Sequence, residues 1–258
     1  MERINSADGT SIAFDRLGDG PPVILMGGGP VDRMANASLA ELLAADLTVF
    51  NYDRRGRGDS GDTTPYAVDR EYEDLAALID EAGGSAMAYG TSGGAMMALE
   101  AAARGLPLTK LALWEPPFIL PGSRPPVPAD YEAQLRDLLA QNRRGDMVEL
   151  FLTDAAGIPA PFVAGIRQSP FWPAQEAIAH ALVYDAMIAG DFRLPSTRLA
   201  TVDVPTVVID GATVDWLSQA ADAVADALPN AQRRTLAGQP HNVDAAVIAP
   251  AITEHLVK

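Results

Sequence analysis

The sequence predicts an α/β fold: a mostly parallel, doubly wound sheet interrupted by an inserted helical cap. Three observations carry this. Apolar strand-like runs alternate with Ala- and Leu-rich helical stretches over residues 1–115. Some runs, such as Pro22-Val23-Ile24-Leu25-Met26, are apolar throughout, as strands buried on both faces must be. The alternation stops after Pro116, where helical patches separated by Pro and Gly replace it, and resumes near residue 201. The expected organisation is a core of residues 1–115 and 201–258 with a cap of residues 116–200.

Taken in order, residues 4–6 and 11–17 read as a hairpin across the turn Asp8-Gly9. Strands are expected at 22–26, 47–52, 84–89 and 109–114, and helices at 34–45, 69–82 and 94–104. The helix at 69–82 places Tyr72, Leu75, Ile79 and Ala82 on one face and crowds Asp69, Glu71, Glu73 and Asp74 into its first turns, where the helix dipole favours them. Gly105 and Pro107 stop the helix before them. In the cap, helical patches are expected at 131–141, 145–155 and 173–188. Its aromatics (Phe118, Tyr131, Phe151, Phe162, Phe171, Trp172, Tyr184 and Phe192) should mostly form a small core of their own, with some facing the pocket below. Strands at 204–210 and 232–236 and helices at 216–228 and 243–257 complete the chain.

Composition narrows the function. A net charge of −15 argues against nucleic acid and anionic membranes as partners. No apolar leader or 18-residue apolar run is present, so a soluble, cytoplasmic protein acting on a small molecule is expected. There is no Cys, hence no thiol nucleophile or thiolate metal site, and only His180, His241 and His255 offer imidazole. No metal or cofactor is expected. Gly56-x-Gly58-x-x-Gly61 matches a dinucleotide fingerprint in letters, but Asp62-Thr63-Thr64-Pro65 follows where a helix should begin, so a tight structural loop is expected.

The chemistry concentrates at Gly90-Thr91-Ser92-Gly93-Gly94. Gly-x-Ser-x-Gly between a strand and a helix is the pattern of a nucleophile elbow, a turn too tight for side chains at its flanking positions. It would lift the Ser92 hydroxyl above the sheet. Serine is a poor nucleophile without a base. His241, in the Gly/Pro loop Ala237-Gly238-Gln239-Pro240, is the best-placed imidazole, since His180 lies in a helical patch and His255 near the chain end. Negative charge developing on a substrate needs preorganised donors, and Gly93 N–H at the start of the elbow helix is one.

Together with Gly27-Gly28-Gly29-Pro30 after a strand, Asp53-Arg54-Arg55-Gly56-Arg57-Gly58 and the late His241, these markers resemble the α/β-hydrolase superfamily over nearly the whole chain. The resemblance implies nucleophile, acid and His in that chain order. It implies Gly29 N–H as the second oxyanion donor, with Gly28 as the alternative. The usual His-Gly pair is here Gly27-Gly28. The acid commonly follows the next-to-last strand as Gly-x-x-Asp. That spacing falls on Val214, with Asp215 one residue late and suited to capping a helix. Glu115, directly after the strand at 109–114, matches the placement in other members, and Asp210 remains a third candidate. A Ser in place of a carboxylate nucleophile favours acyl chemistry. The expected function is a serine hydrolase acting on a small hydrophobic ester or lactone through an acyl-enzyme. Perhydrolysis or carbon–carbon hydrolysis with the same residues, and a ligand-binding protein with vestigial turnover, are the alternatives.

Overall fold

The computed structural model describes residues 1–258. Its eight strands are β1 (Glu2–Asn5), β2 (Ser11–Leu17), β3 (Pro22–Met26), β4 (Thr48–Tyr52), β5 (Ala86–Thr91), β6 (Leu108–Trp114), β7 (Thr206–Asp210) and β8 (Ala231–Thr235). They form one sheet in the order β1-β2-β4-β3-β5-β6-β7-β8. The β1–β2 and β2–β4 pairs are antiparallel and all others are parallel. Helices α1 (Ala37–Leu43), α2 (Val68–Glu81), α3 (Gly93–Ala103), α10 (Asp215–Ala227) and α11 (Ala245–Val257) cover the sheet. A 3-10 turn at Arg33–Asn36 precedes α1, where one helix over 34–45 was expected.

The side-chain alternation of the strands sorts the core into two layers. Ile24, Met26, Ala88, Leu111, Leu113 and Val208 point to the side covered by α2, α3 and α10. Val23, Leu25, Tyr89, Ala112, Trp114 and Ile209 point to the side covered by α1 and α11. Both faces are buried, which is why these strands are apolar without alternation in the sequence. The strand order reverses between β3 and β5, so the loops after β3 and β5 open a crevice at the carboxyl end of the sheet.

Between β6 and β7 the chain forms helices alone: α4 (Tyr131–Ala140), α5 (Arg144–Leu150), a π turn (Phe151–Ala155), α6 (Ala160–Ile166), α7 (Trp172–Ala177), α8 (Ala181–Ala189) and α9 (Ser196–Leu199). The single helix expected at 173–188 is broken around Ile178–His180, and α6 and α9 were not anticipated. Tyr131, Trp172, Tyr184 and Phe192 enter a third core with Leu135, Met147, Val148 and Leu182. Phe118 joins the main core instead, and Phe162 and Phe171 are 69% and 75% exposed.

This helical segment is tied to the sheet by buried charge. After β4, Arg54, Arg55 and Arg57 are each at most 3% exposed. Arg54 is bidentate to Glu71 of α2 at 2.8 and 3.1 Å, and Arg55 is bidentate to Asp74 at 2.7 and 2.8 Å. Arg54 and Arg57 converge on Asp185 Oδ1 of α8 at 2.8 and 2.6 Å. Around this clasp Tyr184 donates to Asp62 at 2.9 Å and stacks on Tyr66 with ring centroids 3.8 Å apart. The loop from 53 to 61 is thus the structural turn expected from its sequence, with its glycines leaving room for Asp53, Tyr184 and His180. Arg54 keeps Glu71, but Arg57 would be left with only Glu71 at 3.9 Å, so Asp185→Ala should lower stability by about 3 kcal/mol in urea unfolding. The exposed Asp191–Arg193 pair is the control, and Asp191→Ala should change it by less than about 0.5 kcal/mol.

Candidate active site

β5, β6 and β7 end side by side, and within two residues of each end lies a residue whose backbone is forced out of the common regions. Ser92 has φ 54° and ψ −124°, Glu115 has φ 44° and Ala212 has φ 53°. Non-glycine residues there carry about 1–3 kcal/mol of strain each, so packing must hold them. At the elbow it does. A side chain at Gly94 would run into the Met26 carbonyl, and one at Gly90 would come within 2.6 Å of Gly94 O and 2.7 Å of Ala95 Cα. With glycine at both positions, α3 drops directly onto β3 and β5, and Ser92 becomes the residue before its first turn.

The sheet ladder then carries the geometry sideways. Ser92 N–H donates to Trp114 O at 2.9 Å, and Glu115 N–H donates to Ile209 O at 2.9 Å. Glu115 is fully buried. Its Oε1 accepts from Gly211 N–H at 3.0 Å, and its Oε2 accepts from His241 Nδ1 at 2.6 Å. A carboxylate only accepts, so in this bond Nδ1 carries the proton and Nε2 is the ring nitrogen turned away from Glu115. The His241 loop is pinned from three sides. Trp114 Nε1 donates to His241 O at 2.8 Å, Thr213 Oγ1 donates to Gln239 O at 3.0 Å, and Gly238 N–H donates to Gly211 O at 2.8 Å. The His241 side chain is 40% exposed, so one edge of the ring remains open while the carboxylate edge is sealed.

The three candidate carboxylates are therefore separated by place. The one bonded to His241 belongs to Glu115, not to Asp215. Asp215 is exposed, at the first position of α10, one residue inside the cap position held by Val214. Asp210 is buried, but its oxygens are consumed by Arg233 at 2.9 Å, Thr235 Oγ1 at 2.8 Å, Ala212 N–H at 3.1 Å and the Ser218 hydroxyl. Burial pushes its pKa up, and these bonds outweigh that and hold it below the usual carboxylate value. His180 lies before α8, beside Asp62, with burial lowering its pKa, and His255 bonds Pro205 O, so neither reaches this cluster.

The loop after β3 lies flat on the elbow. A side chain at Gly28 would come within 2.6 Å of both Gly93 N and Thr91 O, so only glycine permits the contact. A Cβ on Gly93 would stand 3.8 Å from Gly29 N, which brings the two amides into one corner. Gly93 opens α3, and no protein group accepts from either N–H. At Gly27, Val31 and the buried Asn36 occupy the adjoining space. Above the loop, the Phe151 ring tip lies 3.2 Å from where a Gly29 Cβ would stand. Phe151 was expected only as one of several cap aromatics. The π turn that aims it leaves no mark in hydrophobic periodicity.

The family model described as alpha/beta hydrolase family matches residues 23–249, and the chain belongs to that family. An alpha/beta hydrolase from Sphaerobacter thermophilus is 52% identical, with 98% of this chain and 99% of that one covered and a TM-score of 0.95. A thermophilic esterase from Thermogutta terrifontis, in a malate-bound structure, is 22% identical over 100% of this chain and 98% of that one, with a TM-score of 0.76. The enol-lactonase from Burkholderia xenovorans is 20% identical over the full length of both chains, with a TM-score of 0.71. No curated protein matches the sequence.

The seat of the loop on the elbow can be tested by packing. Gly28→Ala should cost about 1–3 kcal/mol in urea unfolding, because the obstructing atoms are backbone and cannot swing away. Gly165→Ala, in α6 with nothing within 4 Å of the added methyl, should be neutral or slightly stabilising.

Proposed function

We propose that the protein is a serine hydrolase that cleaves small hydrophobic carboxylic esters or lactones through an acyl-enzyme. The observation that carries this is the 2.6 Å bond from His241 Nδ1 to the buried Glu115, which is one strand away from the strained Ser92. In this reading His241 Nε2 takes the Ser92 hydroxyl proton as the oxygen attacks the carbonyl carbon. Glu115 fixes the imidazole tautomer and stabilises the cation that forms. Gly29 and Gly93 N–H groups hold the oxyanion, whose charge they meet without reorganisation. His241 then returns the proton to the departing alkoxide, which in a lactone stays attached to the acyl group. Water, activated by the same nitrogen, releases the acid and restores Ser92.

The helical segment 116–200 serves as the cap over this site, with core residues 1–115 and 201–258 supplying the chemistry. The reading requires no cofactor or metal and treats the protein as a cytoplasmic enzyme for a dissolved small molecule. An esterase and an enol-lactonase are among the similar structures, beside meta-cleavage product hydrolases and a deformylase, which is compatible with ester or lactone chemistry. That support is analogy of fold, since a fold hosts many chemistries.

A panel of p-nitrophenyl esters and lactones tests the reading. Ser92→Ala should keep the fold and reduce turnover by on the order of 10³-fold or more. Retention of more than about a tenth of the wild-type rate would exclude Ser92 as nucleophile. Glu115→Gln should cost about 10²- to 10⁴-fold, while Asp215→Asn should cost little. The reverse ranking would assign the acid to Asp215.

A further inference from the structure

We propose that Phe151 sets the size of the acyl group accepted at Ser92, and that Arg124 is the positioning residue that holds it in place. The inference rests on the serine-hydrolase reading. It adds a substrate limit, to short acyl chains, and the residues that impose it.

The geometry starts from the π turn. α5 ends at Leu150, and the next turn is widened, with Ala156 N–H donating to Phe151 O at 2.9 Å across five residues. The Thr153 hydroxyl lies 3.0 Å from Glu149 O and 3.2 Å from Leu150 O, so its one proton offers these carbonyls a shared alternative partner. Such single widened turns recur at functional sites because they re-aim one side chain. Here the redirected side chain is Phe151, whose ring tip stands against Gly29. The loop carrying Gly29 thus packs on the elbow at Gly28 and meets the Phe151 ring at Gly29. An oxygen bound by Gly29 and Gly93 fixes the acyl carbon beside this corner. The chain attached to that carbon must then pass the ring, so the ring limits its bulk. Phe162 and Phe171 are exposed, and Tyr131, Trp172 and Phe192 are enclosed in the segment's own core, so none of them takes this place.

Arg124 explains how the turn is kept at this height. Its guanidinium donates to Ala155 O at 2.9 Å and to Asp154 O at 2.6 Å, the carbonyls at the end of the π turn. It lies 4.8 Å over the Trp216 ring, and its hydrogen bonds go to main-chain carbonyls. Gly157 leaves the space it fills, since a side chain there would come within 2.7 Å of Nη1. Trp216 is the second residue of α10, which follows the loop that donates to Glu115. The connection runs from Phe151 through two carbonyls, one cation and one indole to the rigid core beside the proposed acid. A guanidinium's two forks match two adjacent carbonyls, which a lysine cannot reproduce.

The test measures kcat/KM for p-nitrophenyl acetate, butyrate and octanoate, with folding followed by circular dichroism and thermal melting. Wild type should fall steadily from acetate to octanoate. Phe151→Ala should raise the octanoate-to-acetate ratio by about 10-fold or more, the scale on which apolar pockets discriminate by size. Phe151→Trp should lower it, which keeps the proposal testable if the alanine variant folds poorly. Arg124→Met should raise the ratio by a smaller factor, through KM rather than kcat, and Arg124→Lys should restore only part of the wild-type preference. A ratio unchanged by either Phe151 variant, with hydrolysis still dependent on Ser92, overturns the assignment of Phe151. An Arg124→Met variant that melts earlier with an unchanged ratio shows a cap for the turn and nothing more. Hydrolysis that survives Ser92→Ala in the parent chain overturns the hydrolase reading and this proposal with it.

Discussion

The bond between Glu115 and His241 organises more of this molecule than any other polar contact. It spans 126 residues of sequence and joins the end of β6 to the loop after β8. For it to form, Glu115 must be fully buried as a carboxylate, an arrangement that water strongly opposes unless every oxygen is met by a donor. Gly211 and His241 supply those donors. The sheet supplies the rest, because β6 lies between β5 and β7 and delivers Glu115 between the elbow and the Gly211 turn. Trp114, its neighbour in sequence, points to the opposite face and donates to the backbone of His241 itself. The last residue of β6 and the residue after it therefore grip the histidine from main chain and side chain at once.

Strain is concentrated at the same edge. Ser92, Glu115 and Ala212 follow adjacent strands, and all three have positive φ. Strained backbone persists only where surroundings over-determine it, and around Ser92 they do so with backbone contacts at Gly28, Gly90 and Gly94 rather than flexible side chains. Stiffness at this edge suits chemistry that depends on donors fixed before charge develops. The helical segment between β6 and β7 follows another principle. It owns a separate core and meets the sheet through apolar contacts of Phe118 and Leu199, through buried ion pairs at Asp185 and through Arg124 stacked on Trp216.

Much of this was legible in the sequence, and the reasons differ from place to place. The elbow is local: its glycines, its strand and its helix lie within about twenty residues, so pattern reading reaches it. The doubly wound sheet follows from apolar runs separated by helices. Glu115 against Asp215 was undecidable by spacing, because the answer depends on which strand end faces the His241 loop, and that is a property of sheet order. The partners of Arg54, Arg55 and Arg57 were equally hidden, since Glu71, Asp74 and Asp185 lie 17 to 131 residues away. The π turn at Phe151 and the break before α8 escaped because hydrophobic periodicity records helical faces and not single-residue shifts in register. The exposure of Phe162 and Phe171 ran against composition, which cannot distinguish an aromatic that fills a core from one left in solvent.

The central claim is that Ser92 is a nucleophile activated through His241 and Glu115. Its most direct measurement is covalent labelling of the folded protein with a fluorophosphonate, followed by peptide mass mapping. The account predicts one adduct per chain, on the peptide containing Ser92, forming rapidly in wild type and no longer forming in His241→Ala. A well-folded protein that takes no label, or an adduct that maps to another residue, would contradict it.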